Sequence, residues 1–311
     1  MFRIVPYGLL LGVSCAFAAP FAYVPNEGTG TVSVIDTAQD AVVAEFPAGR
    51  KPRGIAISRD GARLFVSDQP ANALHVIDTA ARRIERTLQL GESPEGVSLS
   101  PDGRLVAAAS EVANAVILLD AERGVELARI RTSGKNPEHA VFSPDSRWLY
   151  VSAEDASQVD VIDVAARREV ASIEVGKRPR GIAFTPDGSR AYVACELDNA
   201  VYAIDVAARK VLARIPAGPF SNGLAMRPDG KRVYVSNGRG ASVSAIDVER
   251  NEVVATIAVG TRPWNMAFTP DGAKLYVANG RSGNVSVIDA RADRKIADIA
   301  VGKLPWGVVI R

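Results

Sequence analysis

Residues 180–216 read RGIAFTPDGSRAYVACELDNAVYAIDVAARKVLARIP, and this stretch decides the fold. It contains four short runs rich in Val, Ile, Ala and aromatic residues, at 181–185, 190–195, 200–204 and 211–216. Pro186-Asp187-Gly188 predicts a tight turn, because proline fixes φ, aspartate accepts backbone hydrogen bonds and glycine tolerates positive φ. The stretch therefore predicts four successive β-strands, which we call A, B, C and D.

The same unit recurs along the whole chain. An Ile-Asp or Leu-Asp pair closes strand C at steps of 42, 42, 43, 42, 42 and 42 residues, at Asp36, Asp78, Asp120, Asp163, Asp205, Asp247 and Asp289. Four strands in about 42 residues is the period of a propeller blade. The sequence predicts an all-β, seven-bladed β-propeller with four antiparallel strands per blade. We interpret the repeated aspartates as turn residues that accept backbone N–H groups.

The two ends of the repeat are out of phase. Phe21–Val24 has the pattern of strand B, whereas residues 306–310 have the pattern of strand A. We expect the C-terminal strand to pair with the three N-terminal strands and to close the ring, since closure removes exposed sheet edges. Residues 19–311 would then form a single, monomeric propeller domain.

The first 18 residues have the pattern of a secretory signal peptide. Arg3 precedes a short apolar stretch, and Ala16-Phe17-Ala18 matches a signal-peptidase site. We expect export to the periplasm, and no later segment is apolar enough to span a membrane. The formal net charge of +2 argues against a strongly basic nucleic-acid-binding protein.

The repeat resembles that of the YVTN-family β-propellers. The resemblance is carried by Tyr234-Val-Ser-Asn237, Val243-Ser-Ala-Ile-Asp247, Val259-Gly260 and Thr269-Pro-Asp-Gly272, and it covers residues 21–310. The C-terminal stretch that contains Arg262-Pro-Trp-Asn265 and Leu304-Pro-Trp-Gly307 is similar to a subfamily associated with catabolism that depends on pyrroloquinoline quinone. The resemblance implies the propeller fold and a link to quinone-dependent oxidation, but no activity.

One face of the predicted ring carries the D-to-A and B-to-C loops around the mouth of the central channel. The position that opens strand A should place one side chain from each blade there: Trp306, Arg53, Glu95, Glu138, Arg180, Asn222 and Trp264. Nearby positions add His139, Phe220, Arg262, Lys303, Arg239 and Arg281. Loops that vary from blade to blade are where binding residues usually lie.

These residues predict a face divided into two sectors. One sector combines tryptophan with cations, and the remaining B-to-C loops are acidic, at Glu27, Asp68, Glu111, Glu154, Asp155, Glu196 and Asp198. Aromatic rings stack on flat ligands and arginine binds carboxylates, so the first sector suits a planar anionic ligand such as pyrroloquinoline quinone. In the alternative, the tryptophans only cap the channel and the arginines pair with Glu95 and Glu138.

The motifs favour a binding module over an enzyme. No nucleophile elbow, phosphate loop, haem-attachment motif or metal-ligand spacing is present, and no cofactor is evident. We expect a periplasmic binding or accessory module, non-catalytic, that supports a quinone-dependent oxidation system through a small anionic aromatic ligand or a protein partner. Three alternatives stay open: a protein-interaction scaffold, a nucleic-acid binder, and a propeller hydrolase or lactonase that would rely on Glu95, Glu138 and His139.

Overall fold

The computed structural model describes residues 20–311, so the predicted signal peptide lies outside the described residues. The described chain forms seven four-stranded antiparallel sheets, one per blade. The numbered strands are β1 to β3 (Phe21–Asn26, Thr31–Asp36, Ala41–Pro47), β4 to β7 (Pro52–Ile57, Arg63–Asp68, Ala73–Asp78, Arg83–Gln89), β8 to β11 (Pro94–Leu99, Leu105–Ser110, Ala115–Asp120, Glu126–Arg131), β12 to β15 (Pro137–Phe142, Trp148–Ala153, Gln158–Asp163, Arg168–Glu174), β16 to β19 (Pro179–Phe184, Arg190–Cys195, Ala200–Asp205, Lys210–Pro216), β20 to β23 (Ser221–Met226, Arg232–Asn237, Ser242–Asp247, Glu252–Ala258), β24 to β27 (Pro263–Phe268, Lys274–Asn279, Asn284–Asp289, Arg294–Ala300) and β28 (Val309–Ile310).

The seven-bladed fold and the closure of the ring are both confirmed. The first sheet has the order β28-β1-β2-β3, so the last strand of the chain is the innermost strand of the blade that the N-terminal strands begin. β28 is shorter than the predicted strand, with only Val309–Ile310 in regular pairing. The Trp306 N–H still donates to the Pro25 carbonyl at 2.9 Å, and Phe21 and Arg311 exchange two backbone hydrogen bonds. The closing contact therefore extends through residues 305–311.

The core consists of seven apolar clusters, and each cluster lies between two adjacent blades. Both faces of every sheet are therefore buried. This explains why strands B and C carry nearly continuous apolar runs, such as Tyr192-Val-Ala-Cys195, in place of strict alternation. Inner strands of neighbouring blades contact one another around the ring, which places the channel at the centre.

The repeated aspartates act in turns, as predicted. The Asp187 carboxylate accepts hydrogen bonds from Thr185 Oγ1 at 2.5 Å and from the Ser189 N–H at 3.0 Å. These hydrogen bonds lower the pKa of Asp187. Asp205 accepts the Ala208 N–H at 2.8 Å in the turn between strands C and D. The turns position the strands and leave these carboxylates occupied.

Helical structure in the described residues is limited to two single-turn 3₁₀ segments, Gln69–Ala71 and Glu196–Asp198. Both lie in B-to-C loops, at the mouth of the channel. Across residues 20–311, no helix has the length and apolar character needed to cross a membrane.

Candidate functional site

The channel mouth holds a cavity of about 300 Å³. Of the seven positions predicted to open onto the mouth, six line this cavity: Arg53, Glu138, Arg180, Asn222, Trp264 and Trp306. The seventh, Glu95, is only 1% exposed and lies behind Arg53. The register of strand A thus brings one side chain from each blade to the channel mouth, although only six of the seven line the cavity.

Arg180 is the most densely paired cation at the mouth. Its guanidinium contacts Glu138 at 2.7 Å, Glu196 at 3.2 Å and, more closely, Glu154. Glu138 and Glu154 belong to one blade, and Glu196 belongs to the next. Arg180 keeps 12% of its side chain exposed, so the carboxylates restrain the guanidinium without covering it completely.

Two further arginines share the same carboxylates. Arg178 Nε lies 3.3 Å from Glu154 and 3.2 Å from Glu196, and Arg262 Nη2 lies 3.1 Å from Glu196. Sequence reasoning missed Arg178, which is the last residue of a D-to-A loop before its proline. It adopts φ 58°, and this backbone turns its side chain towards the mouth.

Arg53 forms a second paired group on the opposite side of the cavity. It contacts Glu27 at 3.2 Å and, more closely, Glu95. Gln69 Nε2 donates to the same Glu95 oxygen at 2.7 Å, while the second oxygen, Oε2, is buried with no hydrogen-bond partner in the described residues. An unpartnered buried carboxylate oxygen is costly unless the group is protonated or bound to water.

Ion pairs connect the predicted cationic sector with the acidic loops. Arg53 and Arg262 reach the acidic B-to-C loops and pair with Glu27 and Glu196. The extended side chains of arginine and glutamate are long enough to cross from loop to loop, so charges that are separated in sequence meet at the mouth. The pairing of Arg53 with Glu95 and of Arg180 with Glu138 follows the alternative that the sequence left open.

The protonation states of the glutamates follow from their burial and from their closeness to one another. Burial and the neighbouring Glu138 raise the pKa of Glu95 to about 9, despite Arg53. Burial and Glu138 also raise the pKa of Glu154 to about 7, and burial raises that of Glu111. Burial opposes ionisation of Glu138 as well, but Arg180 and His139 lower its pKa. Glu95 is therefore neutral near pH 7, and Glu138 is ionised.

The two tryptophans have different surroundings. Trp306 is 8% exposed and stacks on His139, with ring centroids 5.6 Å apart and an interplanar angle of 15°. Trp264 is half-buried and packs over Gly280, where an added Cβ would lie 2.6 Å from the indole. Both tryptophans line the cavity, and Trp264 is the more exposed of the two.

His139 occupies the position that is glycine in five of the seven inner strands. At those positions the inner strands approach closely: a Cβ at Gly54 would lie 2.1 Å from the Glu95 carbonyl oxygen. Both ring nitrogens of His139 are buried without a partner in the described residues, and burial lowers its pKa. A neutral His139 stacked on Trp306 forms the floor beneath the cavity.

The remaining predicted residues lie on the rim and do not line the cavity. Arg239 stacks over Phe220, with its guanidinium carbon 3.6 Å from the ring centroid. Arg281 and Lys303 are exposed, and neither has an ion pair among residues 20–311. Asn136 and Asn265, which sequence reasoning did not select, do line the cavity and add amide groups.

No group of three or more His, Cys, Asp or Glu side chains within residues 20–311 has an arrangement that could hold a metal ion. A larger cavity, of about 600 Å³, lies on the opposite face between the turns of two blades. It is lined by the repeated Pro-Asp-Gly and Asp-Val turn residues, including Asp187, Asp229 and Asp247, which already accept backbone hydrogen bonds. The mouth cavity is therefore the stronger candidate for a functional site.

The fold and the mouth define the protein as a seven-bladed β-propeller with a closed, charged channel mouth. A family model described as lactonase, seven-bladed β-propeller, matches residues 164–299, and one described as YNCE-like β-propeller matches residues 19–101. Each match covers less than half of the chain. No curated protein matches the chain in sequence.

Solved structures share the whole architecture. Hydrazine synthase of Kuenenia stuttgartiensis superposes with a TM-score of 0.80 at 25% identity, over 91% of this chain and 99% of that one. A functionally unknown protein of Desulfotomaculum acetoxidans gives 0.83 at 16% identity, over 94% and 99%. The dihydro-heme d1 dehydrogenase NirN gives 0.69 at 19% identity, over 94% and 76%. These likenesses establish the fold.

Proposed function

We propose that this propeller is a non-catalytic binding module that captures a small, planar, anionic ligand in the cavity at its channel mouth. The observation that carries the proposal is the convergence of four guanidinium groups on one cavity: Arg53, Arg178, Arg180 and Arg262. Each is held by buried carboxylates, which pre-organises it. Arginines fixed in this way bind carboxylates without losing much side-chain entropy.

The half-buried face of Trp264 supplies the planar part of the recognition. An indole beside guanidiniums suits an aromatic ligand that carries carboxylates, because the ring stacks and the charges pair. Pyrroloquinoline quinone belongs to this class, and the resemblance to propellers associated with its use supports it as a first probe. The export pattern at the N-terminus supports a periplasmic location for the binding event.

The test is isothermal titration calorimetry of the mature protein with pyrroloquinoline quinone and, separately, with benzene-1,3,5-tricarboxylate. We expect both compounds to bind. Arg178→Gln should raise the dissociation constant about tenfold, since one charge-assisted contact contributes about 1.5 kcal/mol or more. Arg178 suits this test because its side chain is 41% exposed, which limits the cost to folding. Trp264→Ala should weaken the binding of the quinone more than the binding of the smaller tricarboxylate.

The matched control is Arg250→Gln. Arg250 is exposed in a turn on the opposite face and has no ion pair among the described residues. It should leave both affinities unchanged. If neither probe binds, or if Arg250→Gln and Arg178→Gln act alike, the mouth is not an anion site, and the exposed rim cations favour the protein-scaffold alternative.

A second candidate function rests on a separate observation, the match of residues 164–299 to a lactonase propeller model. Glu154, with a pKa of about 7, can take a proton from a water molecule that attacks a lactone carbonyl, and Arg180 can face the developing oxyanion. Hydrolysis of dihydrocoumarin that is lost in Glu154→Gln and kept in Glu252→Gln would support this candidate. Absence of turnover in the wild type would exclude dihydrocoumarin-type lactones as substrates.

A further inference from the structure

The mouth contains more acidic groups than basic ones. Six glutamates, Glu27, Glu95, Glu111, Glu138, Glu154 and Glu196, face four guanidiniums, those of Arg53, Arg178, Arg180 and Arg262. If all ten groups were ionised, two negative charges would be left without a partner. Five of the six glutamates are buried, and uncompensated charge is expensive in such surroundings.

The acidic and basic groups lie at different depths. The guanidiniums are the more accessible groups, from 12% exposed at Arg180 to 41% at Arg178, whereas the side chains of Glu95, Glu154 and Glu196 are nearly inaccessible. An anion in the cavity can therefore reach the guanidiniums more readily than the glutamates, of which Glu111, Glu138 and Glu154 also line the cavity. The glutamates form a layer beneath them, which we call the glutamate layer.

Glu154 connects this layer to the cavity. Arg180 and Arg178 face it from the inner strand and loop of the next blade, and Asn136 Nδ2 donates to its Oε2 at 3.2 Å. Glu138 on the inner strand of its own blade, Glu111 on the preceding blade and Glu196 on the following blade surround it with like charge. In the described part of the chain, its positive neighbours are thus two arginines that an anionic ligand would also engage.

Glu95 and Glu111 complete the set on the other side. Glu95 faces Arg53, Gln69, Glu111 and Glu138. Glu111 accepts a hydrogen bond from Ser93 Oγ at 2.7 Å and faces Glu138 and Arg53. Neither has a cation of its own, because Arg53 is already shared with Glu27.

We propose that the glutamate layer is a proton store, so that the site captures its anionic ligand together with a proton from solution. This inference rests on the proposed function. A carboxylate ligand draws on Arg178 and Arg180 and adds negative charge beside Glu154. Glu154 then compensates by binding a proton, and the ligand enters in effect as a carboxylic acid.

The sign of the pH dependence follows from Glu154. Its pKa in the free protein is about 7, and a neighbouring anion raises it further, so binding takes up protons around neutral pH. Affinity must then fall as pH rises through 7, by at most tenfold per pH unit for one proton. Well below pH 6, Glu154 is already protonated in the free protein, and the dependence disappears. Glu95 stays protonated throughout this range and does not contribute.

The experiment is calorimetry with benzene-1,3,5-tricarboxylate, which is fully ionised at neutral pH, in phosphate and in Tris at pH 7. The difference between the two enthalpies gives the number of protons taken up. We expect roughly half a proton per ligand in the wild type and an affinity that weakens several-fold from pH 6 to pH 8. Glu154→Gln, which resembles the protonated side chain, should bind with a flat pH profile, and the exposed control Glu252→Gln should behave as the wild type.

Two calorimetric results would overturn the inference. Binding with no proton uptake and no change between pH 6 and pH 8 would leave the anion site intact but refute the proton store. If no anion binds at any pH, the proposed function fails and coupled capture fails with it. Carbon-13 NMR of the glutamate carboxyls then separates the two failures. If some carboxyls titrate near or above pH 7 in the free wild type, and one of these titrations is absent in Glu154→Gln, the glutamate layer still holds protons as proposed. Titration of every carboxyl below about pH 5.5 would refute it without reference to a ligand.

Discussion

Glu196 contacts three guanidinium groups while its own side chain is inaccessible to solvent. Its Oε2 lies 3.2 Å from both Arg178 and Arg180, and its Oε1 lies 3.1 Å from Arg262. The residue sits in a 3₁₀ turn of the fifth blade, and Arg262 comes from the loop that enters the seventh. One carboxylate therefore fixes the positions of three of the four cavity arginines.

Replacement of Glu196 should be costly. Glu196→Gln removes the one carboxylate among residues 20–311 that pairs with Arg262, and it places an amide donor among guanidinium donors. We therefore expect a loss of about 2 kcal/mol in the free energy of unfolding. This is below the cost for a fully buried pair, because the arginines are partly solvated. Urea denaturation measures it, with Glu252→Gln as the exposed control. A loss no greater than that of the control would contradict this role for Glu196.

Strand B shows how one repeated contact ties blades together. Tyr192 bonds Asn251 Oδ1 at 3.1 Å, Tyr234 bonds Asp293 Oδ1 at 2.6 Å, and Tyr276 bonds Asp40. Each partner lies in a turn of the next blade. The fourth blade lacks this contact. Its Tyr150 faces Arg209, and the buried Tyr150 hydroxyl has no hydrogen-bond partner in the described residues. A hydroxyl buried in this way costs free energy that a short polar partner would recover.

Arg209→Asn should therefore stabilise the protein. Asparagine gives Tyr150 an acceptor and suits the left-handed backbone at position 209, where φ is 53°. The change loses the stacking of Arg209 on Trp148, so the expected net gain is about 0.5–1 kcal/mol in denaturant unfolding.

The matched control for this prediction is Arg167→Asn. Arg167 occupies the same turn position in the preceding blade, with φ 52°, but Ala107 stands where a tyrosine would be. Arg167→Asn should therefore gain no stability from a new hydrogen bond to a tyrosine. Equal stabilisation of both variants would mean that backbone preference, and not the tyrosine contact, is responsible.

The strands were predictable from sequence because each is encoded locally, seven times. The predicted strand Arg190–Cys195 agrees residue for residue, and the other three strands of that unit differ by one or two residues at their ends. The positions that open strand A were equally predictable, since the repeat aligns them. The pairing of Arg178 and Arg262 with Glu196 could not be predicted from sequence. It depends on the paths that extended side chains take from one loop to another. Nor could the stacking of Trp306 on His139, which joins the first and fourth blades across the channel.

At the scale of the whole molecule, stability depends on closing the ring with few residues. Only two residue pairs join β28 to β1, supported by the bonds of Trp306 and Arg311 to the first strand. Val308 and Trp306 are buried there. Without these residues, the inner edge of β1 and the clusters on either side of the first blade would be exposed.

Deletion of residues 306–311 should therefore open the ring. We expect aggregation, or a fall in melting temperature of 10 °C or more, followed by differential scanning fluorimetry and light scattering. The deletion also removes the Trp306 that covers His139. A synthetic peptide of residues 304–311 added to the truncated chain should restore part of the loss. A truncated protein that stays monomeric with an unchanged melting temperature would show that the ring is not held by this strand.

The most direct test of an anion site at the channel mouth is native mass spectrometry of the protein purified from its own source without prior exposure to added ligand. The account predicts a bound small molecule, acidic and aromatic by fragmentation, that is present in the wild type and in Arg250→Gln and is lost in the Arg178→Gln, Trp264→Ala double variant. A bare monomer mass in all of them, or an adduct that the double variant retains, would contradict it.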